Sequence, residues 1–480
     1  MTDRVSQRRG APPVWRALVS AVGVAAILPL AACDLDVADP DVVRPPALQD
    51  PATLPTLLAG AIGDFAFAFA GDNGATEGII LNGGMRADEW LNADTFSDRQ
   101  DIDQGTITEF NPSNQNVYRQ LHTARLSAEF AAARFEDLAA DEPGHAEALS
   151  LAAFTYVIFA EHYCSGTPFS DVDRETGAVI FGQPLTTEEM FEEAITRFDE
   201  ALGVATAAGS STQASLARVG RGRALIGLGR WAEAAAAVAG VPTGFQYVVE
   251  YSENTERQQN GVWVFSAISR RWSAANDEGT NGVEFRTAND PRARIEPLLT
   301  AGGQQRIGLD QDTPMWIQLE FPSRSAPIPL ATGIGARLIE AEAALNQGNF
   351  ATTLTILNTL RTNPANYPCP PGLQGCAAPG TPGGPPVLGP LADPGSAAGR
   401  VDLLFRERAF WLYSTAHRLG DMRRLIRPLA DGGYGRAFGQ VFPVGPYHKG
   451  GGLYGTDANL PVPIDEENNP NFQGCESRTI

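Results

Sequence analysis

Lysine is almost absent from this chain: Lys449 is the only lysine among 36 basic residues, and the others are arginines. Acidic residues number 56, so the formal net charge is −20. A protein that binds nucleic acid or anionic lipid must neutralise phosphates with an excess of basic side chains. The charge balance therefore disfavours nucleic acid as a partner. An apolar fraction of 43% over 480 residues is typical of a folded chain with one large core or several smaller ones.

Motifs of catalysis are also missing. Neither HExxH nor GxSxG occurs, and none of the five histidines stands beside a nucleophile pattern. The stretch GRGRAL, which begins at Gly220, lacks the third glycine of a dinucleotide-binding loop. Asp88 and Glu89 form an acidic pair, but glycosidase chemistry depends on a carboxylate separation that a sequence does not give. We therefore expect no enzymatic activity and no cofactor.

Metal-binding patterns are incomplete. The stretch Asp171–Glu175 begins like a calcium loop, but Thr176 stands in place of the turn glycine and Gly182 in place of the bidentate glutamate. One other acidic group offers oxygens that could share an ion with backbone carbonyls: Asp98, Asp101 and Asp103. A solvated loop is the simpler interpretation of that group. The sequence therefore predicts no metal site.

The first 33 residues have the pattern of an export signal. Arginines precede an apolar run from Ala17 to Leu30, which is too short for an ordinary transmembrane helix. The sequence LAAC at residues 30–33 then resembles a bacterial lipobox, and cleavage there would leave Cys33 lipidated at the new N-terminus. The alternative is a plain signal peptide with an incidental cysteine. Residues 34–50, which are acidic and broken by prolines, are typical of a tether.

The remaining four cysteines favour disulfides, since they are even in number and the compartment is oxidising. Cys369 and Cys376 flank the short segment PPGLQG and are the simplest pair. Cys164 and Cys475 would then form the second bond. The other two pairings stay possible. No CxxC occurs, and the spacing suits no zinc site.

Apolar periodicity predicts a mostly α-helical protein with long irregular loops and a few short strands. Four of the helices are predicted over Pro51–Gly71, Asn114–Leu138, Glu147–His162 and Thr187–Thr206. Alternating apolar residues predict strands in FQYVVEYS, residues 245–252, and in GVWVFSAI, residues 261–268. The stretch 84–107 has weak periodicity and many polar groups, and predicts an irregular loop.

Two segments repeat one pattern of helix, glycine, one residue, aromatic and helix. They are RALIGLGRWAEAAAAV at Arg223–Val238 and EAALNQGNFATTLTIL at Glu342–Leu357. A glycine can end the first helix, and small residues let paired helices approach closely. This pattern predicts tetratricopeptide-like helical hairpins in a single domain from residue 33 to 480. We expect a helical scaffold over about 51–240 and 333–430, loop-rich segments over 72–113 and 241–332, and a Pro/Gly-rich loop over 368–399.

Ligand binding by aromatic stacking is the best chemical candidate. Carbohydrate rings pack their C–H faces on aromatic planes, while carboxylates and amides bind the hydroxyl groups. Two tryptophans outside the predicted periodic helices stand among such polar residues. The candidate ligand-binding residues are Asp88, Trp90, Asn92, Asp94, Phe96, Trp272 and Asp277. Core packing is the alternative for both tryptophans, and it is favoured for Trp231 and Trp263.

The order of features resembles the SusD/RagB family. A lipobox, an acidic tether and interrupted hairpins are followed by LLFRERAFWLYSTAHRLGDMRR at 403–424 and by LPVPIDEENNPNF at 460–472. The first of these stretches matches a family helix that pairs Glu-Arg with Arg-x-x-Asp-x-x-Arg. The matching residues, which we expect to be structural, are Glu407, Arg408, Arg418, Asp421 and Arg424. The chain departs from the pattern at Trp411 and Thr415, where the family commonly has carboxylates, and at Ala416, where it has glycine.

The resemblance implies an outer-membrane lipoprotein that faces outside and acts as a hinged lid on a SusC-like TonB-dependent transporter. Its expected ligand is a glycan or a peptide, and its contact with the membrane is the N-terminal lipid. No ligand contact carries over, because family members share no ligand motif. The segment from Leu403 to Leu425 is expected to be one framework helix. In it, Glu407 with Arg408 and Arg418 with Asp421 can make pairs along the helix or pairs with another helix. One alternative is a tetratricopeptide-type scaffold for protein interactions on the cell envelope. Another is a secreted hydrolase, which the absence of nucleophile and metal motifs disfavours.

Overall fold

Helical hairpins make up most of the fold, and short two-stranded ladders lie between them. The computed structural model describes residues 50–73, 76–173, 176–367 and 387–479. Lipidation at Cys33 and the link between Cys369 and Cys376 fall outside the described residues, so both stay predictions. The mostly α-helical, tetratricopeptide-like fold class is confirmed.

The α-helices of the described residues set the framework. In chain order they are α1 Leu54–Ala70, α2 Ile79–Arg86, α3 Ser97–Gln104, α4 Pro112–Ala139, α5 Pro143–His162, α6 Thr187–Ala207, α7 Ser211–Gly227, α8 Trp231–Val238, α9 Gly261–Trp263, α10 Gly333–Asn346, α11 Phe350–Thr362, α12 Ala397–Trp411 and α13 Arg418–Ile426. The longest of them form the scaffold, and four of them have eight residues or fewer, namely α2, α3, α8 and α9.

Among the described residues, strands pair only two at a time, and each of these pairs is antiparallel. The pairs are β1 Trp90–Asn92 with β7 Trp272–Ala274, β2 Thr167–Pro168 with β5 Pro184–Leu185, β3 Asp171–Val172 with β4 Val179–Ile180, β6 Gln246–Val249 with β10 Ile328–Thr332, and β8 Ile295–Pro297 with β9 Trp316–Gln318. Several pairs join residues far apart in the chain. They therefore hold the long connections against the helices and do not form a separate sheet layer.

Helices α4 to α7 pack successively, each against the next. The side chain of Asn111 caps α4, and Thr186 with Glu189 forms a reciprocal capping box at the start of α6. Between α5 and α6, the rings of Phe154 and Phe198 meet edge to face with centroids 5.0 Å apart. Capping residues and apolar faces indicate the same helices here, so the periodicity of the sequence predicts their positions.

Helix α1 is the first scaffold helix. The segment Pro51–Ala70 is long and apolar enough to cross a membrane by length and composition alone. In this fold it packs against α4 and α5, and its Phe65 and Phe69 are buried in the main hydrophobic core. Its apolar face is therefore occupied by protein.

The two predicted hairpins are α7–α8 and α10–α11. Gly229 and Gly348 adopt left-handed backbone conformations, with φ of 71° and 75°, directly after the first helix of each pair. A residue with a Cβ is strained in that region, so glycine is the natural residue to end these helices. Helix α10 also packs against α7 and α8, so the two hairpins stack although a long connection separates them in the chain.

Two local predictions from sequence are wrong. The stretch 261–268, predicted as a strand, is helix α9 followed by a π-helical turn at Val264–Ile268. The side chain of Asn260 caps this helix by accepting from the backbone N–H of Trp263 at 3.1 Å. Short apolar runs do not distinguish a buried helix from a strand. The stretch 84–107, predicted as an irregular loop, contains the end of α2, strand β1 and helix α3.

The charged segment at 403–425 is not one helix. It is broken into α12 and α13 by a turn in which Ser414 and Ala416 have φ of 57° and 58°. A non-glycine residue at positive φ is uncommon. Position 416 is where the resembling family has glycine, so the chain retains the turn without the residue that suits it best. Across the break, Arg408 of α12 pairs with Asp421 of α13.

A disulfide joins Cys164 to Cys475, the second pair of the sequence-based assignment, with Cα atoms 5.6 Å apart. It lies where the end of α5 meets the C-terminal tail. There Leu460 donates its N–H to the carbonyl of His162 at 2.8 Å and accepts from the N–H of Cys164 at 3.0 Å. The tail is thus fixed beside α5 by covalent and backbone bonds together.

Candidate functional site

The two tryptophans proposed for stacking are fully buried. Trp90 and Trp272 have no exposed surface, and they lie on the paired strands β1 and β7, where Asn92 stands opposite Trp272. The indole N–H of Trp90 donates to the hydroxyl of Ser414 at 3.3 Å. A ring that solvent does not reach cannot stack on a sugar, so these two residues pack in the core. The prediction that these two tryptophans contact a ligand is therefore wrong.

Three of their polar neighbours are buried as well. Both oxygens of Asp88 accept from the guanidinium of Arg418, at 2.6 and 2.8 Å. Asp94 pairs with Arg99 and with Arg271. The side chain of Asn92 accepts from the backbone N–H of Asp94 at 2.7 Å. The two carboxylates are neutralised by arginines within the fold, and all three side chains are buried away from a ligand.

Phe96 and Asp277 are the two exposed members of the predicted set. The ring of Phe96 is 50% exposed and has the guanidinium groups of Arg99 and Arg271 over its face, at 4.8 and 5.4 Å. Asp277 is exposed and accepts from the side chain of Asn276 at 2.6 Å. Both stay candidates for ligand contact.

The residues of the charged motif form buried ion pairs. Arg408 binds Asp421 through two hydrogen bonds of 2.7 and 2.8 Å, and Arg424 binds the same carboxylate at 2.7 Å. Burial by itself would raise the pKa of Asp421, but Arg408 and Arg424 outweigh it and hold that pKa well below its usual range. Arg424 also reaches Glu342 on α10 at 3.1 Å. The motif therefore ties α12 and α13 to the scaffold.

The two named pairs that the sequence allowed are not formed, and pairs with other segments take their place. Glu407 pairs with Arg292 and Arg361 and not with Arg408, and Arg418 pairs with Asp88 and not with Asp421, within the part of the chain that the structure describes. Glu407 and Arg408 are both on α12, and Arg418 and Asp421 are both on α13, so neither pair is prevented by the turn between the helices. The observed partners come from other segments, namely the loop residues Arg292 and Asp88 and the α11 residue Arg361, so the motif ties these segments to α12 and α13.

A pocket of about 520 Å³ lies beside this motif. We call it the Trp411 pocket. It is bounded by β6, by β10 and the loop before it, by the turn before Tyr367, and by the end of α12. Its lining includes Gln246, Val248, Arg292, Glu320, Phe321, Ser323, Ala326, Pro329, Asn366, Tyr367, Trp411, Tyr413 and Thr415. The volume is within the range of sites for small organic ligands.

Aromatic rings form one wall of the Trp411 pocket. Tyr367 and Trp411 lie with ring centroids 5.4 Å apart at 52°. The guanidinium of Arg292 lies 5.1 Å from the centroid of Trp411 on a buried side chain held by Asp290 and Glu407. Trp411 is half-buried, so part of its ring is open to the pocket. The position of this ring is fixed by its neighbours before any ligand enters.

Two polar atoms at the pocket lack a hydrogen-bond partner. One is the indole Nε1 of Trp411, and the other is Oε2 of Glu320. The second oxygen of Glu320, Oε1, accepts from the backbone N–H of Arg294 at 2.9 Å. Burial raises the pKa of Glu320 to about 8. At neutral pH its carboxyl group is therefore protonated and donates or accepts through the oxygen that faces no protein group.

Only part of this site was predictable from the sequence. Trp411 and Thr415 stood out as departures from the family pattern, and both line the pocket. No pattern in the sequence indicated Glu320 or Tyr367 as site residues. Each lies in a turn-rich segment whose position depends on strand pairs with distant residues. Among the described residues, no group of three or more His, Cys, Asp or Glu side chains is arranged to hold a metal ion.

Comparisons with solved structures identify the fold. A SusD superfamily protein from Bacteroides vulgatus aligns with a TM-score of 0.59 and 14% identity, over 89% of this chain and 99% of that one. A SusD-like carbohydrate-binding protein from Bacteroides fragilis aligns with a TM-score of 0.59 and 13% identity, over 89% and 99% of the two chains. A laminarin-binding SusD-like protein aligns with a TM-score of 0.56 and 14% identity, over 89% and 99%. No family profile and no curated protein matches the sequence.

Proposed function

We propose that this chain, which has the SusD-like fold, is a surface lipoprotein of the SusD/RagB type that binds an oligomeric glycan without catalysis. It passes the glycan to a SusC-like TonB-dependent transporter in the outer membrane. Similarity to solved proteins named for carbohydrate or laminarin binding supports the ligand class. The lipobox at Cys33 supports the anchor, and the resemblance of the charged motif supports the transporter as partner.

The Trp411 pocket carries the ligand part of the proposal. A sugar ring needs an aromatic face for its C–H groups and hydrogen-bond partners at its edges for its hydroxyls. The pocket offers the half-buried ring of Trp411 in a space of about 520 Å³, and two of its lining residues carry a buried polar atom without a partner, Nε1 of Trp411 and Oε2 of Glu320. A buried polar atom without a partner is costly, and a sugar hydroxyl that reaches it on binding removes that cost. Phe96 and Asp277 are exposed outside this pocket and are proposed as accessory contacts.

The test is the substitution Trp411→Ala. We expect it to weaken the best glycan ligand by about tenfold or more, because it removes both the stacking face and a donor. The measurement is affinity electrophoresis on a panel of soluble polysaccharides that includes laminarin, followed by calorimetry on the retained one.

Trp231→Ala is the matched control. Trp231 is also partly buried, but it packs against Tyr434 at the α7–α8 hairpin, and it does not line the pocket. Its loss should lower stability without changing glycan affinity. Equal glycan affinity for the wild type and Trp411→Ala would remove the pocket from the proposal, and retention of no glycan by the wild type would remove the ligand class.

A second candidate function is a scaffold for protein interactions. An open groove of about 950 Å³ lies between α4, α5 and α6. Its floor carries a polar network in which Arg197 contacts Glu129, Glu193 and Tyr156. Grooves between helical hairpins of this type are suited to peptide segments. Co-purification of a partner protein by a wild type that retains no glycan would favour this function.

A further inference from the structure

A second cavity, of about 400 Å³, lies where α5, α6, α7, α13 and the C-terminal tail meet. Its lining includes Glu161, Thr187, Glu188, Arg423, Arg427 and Glu476. The residues that line this cavity and the Trp411 pocket do not overlap. We call it the tail cavity.

Two arginines of α13 and its end face the tail cavity without a carboxylate partner. Arg423 donates to the backbone carbonyls of Ala160 and Tyr163, at 2.7 and 3.0 Å. Arg427 donates to the carbonyls of Gly227 and Gly432. Neither guanidinium is in an ion pair with any described residue, and the Nε of each lacks a hydrogen-bond partner.

This arrangement is unusual for the chain, in which acidic residues outnumber basic ones by 20. Arg424, between the two arginines in sequence, pairs with Glu342 and Asp421. Burial lowers the pKa of Arg423 to about 10, and the charge of Arg427 adds to the effect. Burial and the charge of Arg424 lower the pKa of Arg427 to about 10 as well. Glu161, the nearby carboxylate, is engaged by two hydrogen bonds from Arg223. Two partly buried guanidinium groups that form no ion pair cost free energy that a bound anion offsets.

We propose that the tail cavity is a second ligand site, which binds one oxyanion group, a carboxylate or a sulfate, between Arg423 and Arg427. The N-terminus of α6 lies at the same cavity and adds favourable partial charge for an anion. Glu188 and Glu476 are exposed on the lining and repel a polyanion. The ligand is therefore a small molecule, or the end of a chain, that carries a single anionic group. This site does not depend on the proposed glycan function.

Calorimetry of the full mature chain tests the site, with sodium sulfate and sodium acetate as probes and sodium chloride at matched ionic strength as the blank. We expect saturable binding of at least one oxyanion. Arg423→Gln and Arg427→Gln should each weaken it by about ten- to a hundredfold, since each removes charge-assisted hydrogen bonds. The relative affinity for the two probes distinguishes a sulfate site from a carboxylate site.

Arg221→Gln is the control, because Arg221 lies on α7 and pairs with the surface residue Asp199. It should bind as the wild type does. Hydrogen exchange of the wild type with and without the probe locates the site even where a variant does not fold. Protection should rise at residues 186–188 and 423–427. Absence of saturable binding, wild-type affinity in both glutamine variants, or protection confined to other segments would each overturn the proposal.

Discussion

At the scale of single residues, Glu320 has the most distinctive chemistry in the Trp411 pocket. Its buried carboxyl group accepts one backbone hydrogen bond and keeps one oxygen without a partner. Its pKa of about 8, against 4.5 for an exposed glutamate, means that the folded chain holds the proton more tightly than the unfolded chain does. Glu320 therefore stabilises the fold most below pH 4.5, and that contribution is lost as the pH rises to about 8.

Replacement of Glu320 by glutamine removes this titration and keeps an oxygen for the N–H of Arg294. We expect Glu320→Gln to gain about 1–3 kcal/mol in free energy of unfolding, relative to the wild type, between pH 5 and pH 8. Urea denaturation at the two pH values measures the gain. Glu296→Gln, on the exposed side of β8, should show no such change with pH. The same stability difference at both pH values would contradict a neutral carboxyl group at Glu320.

At the scale of elements, α12, the turn after it and α13 form one structural unit. Asp421 is its centre, since it accepts from Arg408 in α12 and from Arg424 in α13. Because the pKa of Asp421 is lowered, its contribution is fully present above the ordinary value of 3.8 and is lost only at lower pH. The ion pairs thus hold the two helices together at all physiological pH values.

Asp421→Asn should lower the free energy of unfolding by about 3–5 kcal/mol at neutral pH, because it leaves two buried arginines under-compensated. Thermal or urea unfolding measures the loss. Asp402→Asn is the control: Asp402 pairs with Arg436 on the surface, where such a pair contributes about 0–1 kcal/mol. A loss of similar size in both variants would mean that Asp421 has no special place in the fold.

The elements that were predictable from sequence are those with local signals. The hairpins at Gly229 and Gly348 repeat a short pattern, and the long helices have capping residues and periodic apolar faces. Helices α2 and α3 were missed because their polar residues are buried through partners far away in the chain. Trp90 was misinterpreted for the same reason: its neighbour Asp88 meets Arg418 from α13, 330 positions away. The polar residues around Trp90 indicated an exposed segment, but ion pairs with residues far away in the chain place this segment inside the fold.

At the scale of the whole molecule, the proposed role requires an anchor. We expect Cys33→Ala to move the chain from the outer membrane to a soluble fraction, because removal of the lipidated cysteine removes the acyl chains that hold the protein to the membrane. Cell fractionation followed by immunoblotting measures the change. Protease treatment of intact cells should also degrade the wild type, and survival of the full-length chain would contradict a position on the outer surface.

The disulfide between Cys164 and Cys475 has a consequence for that setting, because 311 positions separate its two cysteines. It closes most of the chain into a covalent ring that includes α6 to α13 and the Trp411 pocket. One cut by a protease anywhere between the two cysteines opens the ring and leaves every fragment still attached. A protein in contact with proteases can thus be cleaved once in its loop region without losing a fragment. Release of a fragment would need a second cleavage or reduction of the disulfide.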